Sequence, residues 1–277
     1  MKYIKYEVHE NTSVRQFLKA KNFSKRSIED ILKTGYILNG KKQIKSLNLK
    51  KNDKLKIIIE DEKIDYEPIK GDINIVYEDD NSLVISKEAN ITVNSKNQIS
   101  LSNYLANYFI NSGQESKIRL VNRLDMDTSG LMLIAKNKYS HAYYQKQLEK
   151  NTMKKKYLAV VEGMLDIDLL YENKFSYNEK KKNYEPSDKG KISRTYFKSK
   201  RINHDFSIIE CEILTGRTHQ IRASLSDLGH PIWGDKLYGS NKNLDRFLLH
   251  SYKLEFTSFY NEENIKLKDY PKFVGFL

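Results

Sequence analysis

The sequence holds a single cysteine, Cys211. That excludes an internal disulfide and any zinc site built on several cysteines. Cys211 lies in an apolar, alternating stretch and reads as a core thiol. No apolar run approaches the roughly 18 residues that cross a bilayer. The opening MKYIKYEVHEN carries no hydrophobic signal core. A cytoplasmic protein with no membrane partner is the expectation. Internal repeats are missing as well. Acidic residues are scarce at one end: residues 1–59 hold 15 Lys and Arg against 5 Asp and Glu, a net +10 of the chain's +12. A basic block of that size points to a polyanion, most simply nucleic acid. The competing reading is a solvated lysine surface, since 30% of all residues are charged.

What is present divides in two. A chain of 277 residues accommodates one large domain with a small one attached. In residues 1–60, Thr12-Ser13 can cap a helix whose apolar face is Val14, Phe17 and Leu18. A second helix is predicted from about Ser24, with Ile28, Ile31 and Leu32 inward and Gly35 at its stop. Asn39-Gly40 between short apolar runs predicts a hairpin, and Leu55–Ile59 a closing strand. Residues 61–71, with Pro68 and Gly71, read as a linker. Residues 72–277 form the large domain. Strands are predicted at Asn74–Glu78, Asn81–Lys87, Asn90–Asn94, Leu131–Ala135, around Tyr157 and at Phe206–Leu214. Helices are predicted at Leu101–Ile110 and Tyr139–Lys150. The Lys-rich piece 171–200 reads as an irregular or hairpin insertion.

One stretch organises the large domain: Val121–Lys136, VNRLDMDTSGLMLIAK. It places a carboxylate, Asp125, in a polar turn just before a buried strand. Local pattern alone favours a carboxylate that caps its own turn. The stretch nevertheless resembles the His-Arg-Leu-Asp-x-x-Thr-Ser-Gly-Leu signature of the RluA-family pseudouridine synthases. Arg123, Leu124, Asp125, Thr128, Ser129, Gly130 and Leu131 match it, and Asn122 stands where the family has His. Gly216-Arg217-Thr218-His219-Gln220-Ile221-Arg222 matches the family's third motif at every position. Residues 156–163 resemble the second motif around Tyr157. The first motif is weakest: Glu88 and Asn90 replace its Pro and Gly, and Lys87 is assigned no catalytic role. Ser224 replaces a further His. GRTHQIRAS distinguishes the chain from the RsuA-type synthases, which usually carry Gly-Arg-x-His-Gln-Val-Arg-Arg-Met. Over residues 12–59, Ser24-Lys25-Arg26-Ser27 and Asn39-Gly40-Lys41 resemble an S4 RNA-binding domain.

The resemblance implies an α+β fold: a small S4-like module, then a mixed, mostly antiparallel sheet flanked by helices. It implies an RNA pseudouridine synthase that isomerises uridines without a cofactor or metal. Asp125 is the expected catalytic residue, acting on C1′, on the base or through a glycal. Arg222 is its expected partner, an adjacent guanidinium favouring the charged carboxylate. The nucleotide must be flipped out. Arg123 is expected to fill the vacated space, and Tyr157 and Ile221 to wall the uracil. Lys25, Arg26, Lys33, Lys41, Lys42 and Lys45 are expected to meet RNA phosphates, ribosomal RNA being favoured over transfer RNA. A monomer with no obligate protein partner is expected. The alternative is a non-catalytic RNA-binding or ribosome-assembly factor, which has no need of the Asp-Tyr-Arg set. His219, His230 and Cys211 have no metal-site spacing.

Overall fold

A computed structural model describes residues 2–95 and 97–275. The chain begins with β1 (Lys2–Glu7) and β2 (Thr12–Ser13), followed by α1 (Val14–Ala20) and α2 (Lys25–Thr34). Ser13 caps α1 in a reciprocal box with Gln16, and Ser24 caps α2 by accepting from the Ser27 N–H. Gly35 ends α2 at a φ of 100°. Next come β3 (Tyr36–Leu38), β4 (Lys41–Gln43), β5 (Asn48–Leu49) and β6 (Lys54–Ile59). β3 and β4 form the hairpin that Asn39-Gly40 predicts, and the small sheet runs β1-β6-β3-β4. Strands β1, β2 and β5 are not among the predicted elements; β1 pairs with β6 and β2 with β5.

The rest builds one large mixed sheet. Its strands and helices follow in order: β7 (Asn74–Glu78), β8 (Ser82–Lys87), α3 (Leu101–Asn111), β9 (Arg119–Leu120), β10 (Ser129–Ala135), α4 (Lys138–Glu149), β11 (Lys154–Glu162), β12 (Asp168–Asn178), β13 (Asn183–Pro186), β14 (Lys191–Ile202), β15 (Phe206–Ile213), α5 (Gln220–Asp227), β16 (Leu249–Thr257) and β17 (Asn264–Lys268). The order is β13-β12-β14-β15-β11-β16-β10-β8-β7, with β17 on β16 and β9 on β10. Among the described residues only β10 and β16 pair in parallel. One expectation needs correcting. Asn90–Asn94 is turn and coil rather than strand, because Asn90 takes a left-handed φ of 62°. Residues 171–200 take the hairpin form of the two expected: most of them lie in the antiparallel strands β12, β13 and β14, which carry exposed lysines on one face and buried Ser193, Thr195 and Phe197 on the other.

Period-2 alternation explains why the central strands read as unbroken apolar runs. Leu131, Leu133 and Ala135 of β10 join one core cluster, while Met132 and Ile134 join the cluster on the opposite face. The first cluster continues into the small module through Val14, Leu18, Ile31 and Phe23. Phe23 meets Tyr139 of α4 at 5.8 Å between ring centroids and Phe259 at 5.4 Å. Lys138 bridges Asp30 at 2.7 Å and Glu60 at 3.0 Å. Residues 61–71 have no helix or strand, but they are tied down: Arg119 bonds Glu62, and Asn103 donates to the Glu67 carbonyl. Cys211 is fully buried in β15. Among the described residues no helix is long and apolar enough to cross a membrane.

Candidate active site

The Asp125 loop joins β9 to β10 and is clamped from three sides. Asn122 accepts the Leu133 N–H at 2.8 Å, so the residue that departs from the family signature ties the loop to β10. Lys87, 1% exposed, donates from Nζ to the carbonyls of Met126 (2.7 Å), Glu88 (2.7 Å) and Ile91 (3.0 Å). Arg246 donates to the Asp127 carbonyl at 3.2 Å. Beyond the loop, Gly130 lets β10 approach β16. It has a φ of 108°, and a Cβ there would lie 2.3 Å from the Ser251 carbonyl oxygen. Burial, and then Arg246, lower the Lys87 pKa to about 8, against the pull of Asp127 and Asp125.

The carboxylate of Asp125 does not cap its own turn. The Thr128 N–H goes to the Asp125 carbonyl instead, and Oδ2 accepts from Arg222 Nη1 at 3.1 Å. Arg222 is buried on α5 and doubly held by Asp235, with Nε–Oδ2 at 2.6 Å and Nη2–Oδ1 at 2.9 Å. Its guanidinium also lies over the rings of Phe247 (4.2 Å) and Tyr238 (5.0 Å). Asp235, Phe247 and Tyr238 thus fix the cation that fixes Asp125. No hydrogen bond joins the other oxygen, Oδ1, to any described residue, and the side chain is 29% exposed.

The turn before α5 owes its shape to Gln220. Its Oε1 accepts from the Arg217 N–H (3.0 Å) and the Thr215 hydroxyl (2.8 Å). Its Nε2 donates to the Arg194 carbonyl (2.8 Å) and Thr195 Oγ1 (3.0 Å). This forces His219 to a left-handed φ of 53° and aims its ring at the loop, with Nε2 4.0 Å from Asp125 Oδ2. Tyr238 accepts the Tyr184 N–H at 2.9 Å, and its hydroxyl also hydrogen-bonds His219 Nδ1 at 3.1 Å, which holds the ring with Nε2 towards Asp125. Burial and the Arg222 charge push the imidazole below its ordinary pKa, outweighing Asp125 and Asp235.

A cavity of about 320 Å³ opens in front of this group, lined by Arg123, Asp125, Tyr157, Ile221 and Arg222 together. All five site residues expected in the large domain therefore meet. Tyr157 is 5% exposed, and burial pushes its hydroxyl well above the ordinary value despite a bond with Ser251, so the ring is neutral. Arg123 is exposed at the mouth and joins no ion pair among the described residues. The six expected RNA-binding cations, Lys25, Arg26, Lys33, Lys41, Lys42 and Lys45, are all exposed on the small module, and none lines the cavity. A wider groove between 61–68 and 110–117 contains none of the site residues.

Sequence reasoning gave no role to Lys87, Asp235, His219, Gln220 or Lys155. Lys155 lines the cavity two residues before Tyr157, so strand periodicity puts it on the same face. Its ammonium has no hydrogen bond or ion pair among the described residues, and burial lowers its pKa to about 8. His219 and Gln220 were visible as part of the Gly216–Arg222 string. Nothing in the sequence links Asp235 to Arg222, and the break in the first motif hid Lys87. Among the described residues no three His, Cys, Asp or Glu side chains are grouped to hold a metal.

This geometry is a buried guanidinium gripping a part-exposed carboxylate beside a cavity of about 320 Å³, carried on a mixed sheet. A family model described as RNA pseudouridylate synthase matches residues 81–227, more than half of the chain. An uncharacterized RNA pseudouridine synthase, YhcT of Bacillus subtilis (strain 168), is 36% identical over 84% of this chain and 80% of its own length. The ribosomal large subunit pseudouridine synthase C of Buchnera aphidicola subsp. Acyrthosiphon pisum is 34% identical over 93% of this chain and 90% of its own. The solved structure of human RNA pseudouridylate synthase domain containing 1 shares the fold, with a TM-score of 0.61 at 23% identity over 73% of this chain and 84% of that one. The chain belongs to the RNA pseudouridylate synthase family.

Proposed function

We propose that the protein isomerises specific uridines of ribosomal RNA to pseudouridine, with Asp125 as the catalytic residue, and that it is of the RluA type. The observation that carries this is the state of the Asp125 carboxylate. One oxygen is held by Arg222, and the other has no hydrogen-bond partner among the described residues, beside a cavity of about 320 Å³. In the reaction the C1′–N1 bond breaks, the base turns, C1′–C5 forms, and the C5 proton leaves while N1 gains one. Redox change and energy input are not needed. A stacked uridine cannot reach the carboxylate, so it enters flipped out. Tyr157 supplies a neutral ring face for the uracil and Ile221 a second wall. Arg123, free at the mouth, enters the space that the nucleotide leaves.

Residues 1–60 are read as an S4-like RNA-binding module, 61–71 as its connection and 72–277 as the catalytic domain. Lys25, Arg26, Lys33, Lys41, Lys42 and Lys45 would meet phosphates. The name of the Buchnera relative supports ribosomal RNA as the substrate. The protein is taken to act as a cytoplasmic monomer. The test is tritium release from unmodified ribosomal RNA labelled at uridine C5. Release by the wild type and none by Asp125→Asn is expected. Full release by the variant would remove Asp125 from the chemistry, and no release by the wild type, with salt-sensitive RNA binding retained, would leave a binding factor.

A further inference from the structure

A second cavity, of about 420 Å³, backs onto the first across the turn Gly216–Thr218. Gly216, Arg217, Thr218 and Gln220 line both. Open space lies beside the turn, since a Cβ at Gly216 would meet nothing within 4 Å. We propose that this second cavity binds an unstacked nucleotide of the substrate RNA, within two positions of the uridine being isomerised.

Its lining carries the three elements that a nucleotide needs. Phe175, Tyr177 and Tyr184 offer aromatic surface, and Tyr177 is 52% exposed. The Tyr177 and Tyr184 rings are 5.3 Å apart but tilted by 57°, so neither stacks on the other and a base can take a face. Ser193 is 1% exposed, and its Oγ is buried without a hydrogen-bond partner. A buried, unpaired hydroxyl is a standing cost that a base edge or ribose hydroxyl would remove. Lys189 and Lys191 are exposed at the rim and join no ion pair among the described residues, which suits the flanking phosphates. The rings also run on to the chemistry: Tyr184 meets His219 edge-on at 5.8 Å, and His219 lies 4.0 Å from Asp125. A base against Tyr184 would therefore brace the turn that carries His219. One strand with a nucleotide in each cavity would straddle Gly216–Thr218.

The proposal rests on the isomerase reading, and the experiment separates the two. Large-subunit ribosomal RNA transcribed in vitro from the host gene is treated with wild type, and the modified uridine is mapped. Single-turnover kinetics then give the half-saturating enzyme concentration and the plateau rate. Tyr177→Ala, which removes an exposed ring, and Ser193→Val should each raise half-saturation about tenfold, with the plateau rate within about twofold. Tyr196→Ala, on the outer face of β14, should change neither. 5-Bromouridine placed one or two positions from the target should crosslink to the segment 175–191. Unchanged half-saturation in both variants, with crosslinks elsewhere, would overturn the subsite and leave the isomerase intact. A wild type that forms no pseudouridine would overturn both.

Discussion

The Asp125 centre and the basic face of the small module treat charge in opposite ways. Around Asp125 nearly every charged group is pinned: Arg222 by two carboxylates and two rings, Lys87 by three carbonyls, Asp235 by the guanidinium it grips. On the small module Lys25, Arg26, Lys33, Lys41, Lys42 and Lys45 are exposed and without ion pairs among the described residues. Fixed charge serves geometry, because a pinned group keeps its place before any ligand arrives. Free charge in water serves attraction over distance and yields to salt. One region should therefore fail in rate and stability when altered, the other in salt-dependent affinity.

The contrast is broken most sharply at Asp125. Asp125→Asn should reduce pseudouridine formation by at least about 10³-fold while RNA binding persists; single-turnover assays beside filter binding measure both. Asp235→Ala comes next. It strips the buried Arg222 of its bidentate partner, so a loss of about 3–5 kcal/mol in denaturant unfolding is expected, together with a fall in rate. An unchanged midpoint would show that Asp125 alone can hold the guanidinium.

Lys155 sharpens the comparison, because it is a free cation inside the fixed region. Its proton leaves near pH 8 in the folded chain and near 10.5 when unfolded. The unfolded state thus binds more protons between those values, and the wild type gains stability as pH rises through that window. Lys155→Met should be more stable by about 1–3 kcal/mol near pH 7, and the advantage should fade from pH 8 towards 10.5. Denaturation at pH 7 and pH 10 reads this directly. The smallest effect is expected on the module. Replacing Lys25, Arg26 and Lys33 together with Ala should leave stability within about 0.5 kcal/mol and the saturated rate within about twofold. The slope of log affinity against log salt should fall by about 2 to 3.

How much was legible follows from where each signal lies. Ser13 and Ser24 announced their helices because a cap is a local bond between residues three apart. The apolar run of β10 and the Gly216–Arg222 string were legible for a similar reason: strand periodicity and the turn set by Gln220 are written in neighbouring residues. The edge strands β1, β2 and β5 were not, since they owe their form to partners such as β6, which pairs with β1 across the length of the module. Residues 171–200 were legible only as an irregular or hairpin piece, because their outward lysines mask the alternation with inward Ser193, Thr195 and Phe197.

Sequence alone determined which residues are candidates for the chemistry and where positive charge concentrates: Asp125, Tyr157 and Arg222 in recognisable strings, and a basic first 59 residues. Tertiary structure alone decided how that chemistry is held. Lys87 reaches the Asp125 loop across 39 positions, Arg222 meets Asp125 across 97, and Asp235 closes the group from a separate turn. Side-chain identity and short-range periodicity are properties of the chain. A hydrogen bond between distant residues exists only once the sheet has brought them within about 3 Å of each other.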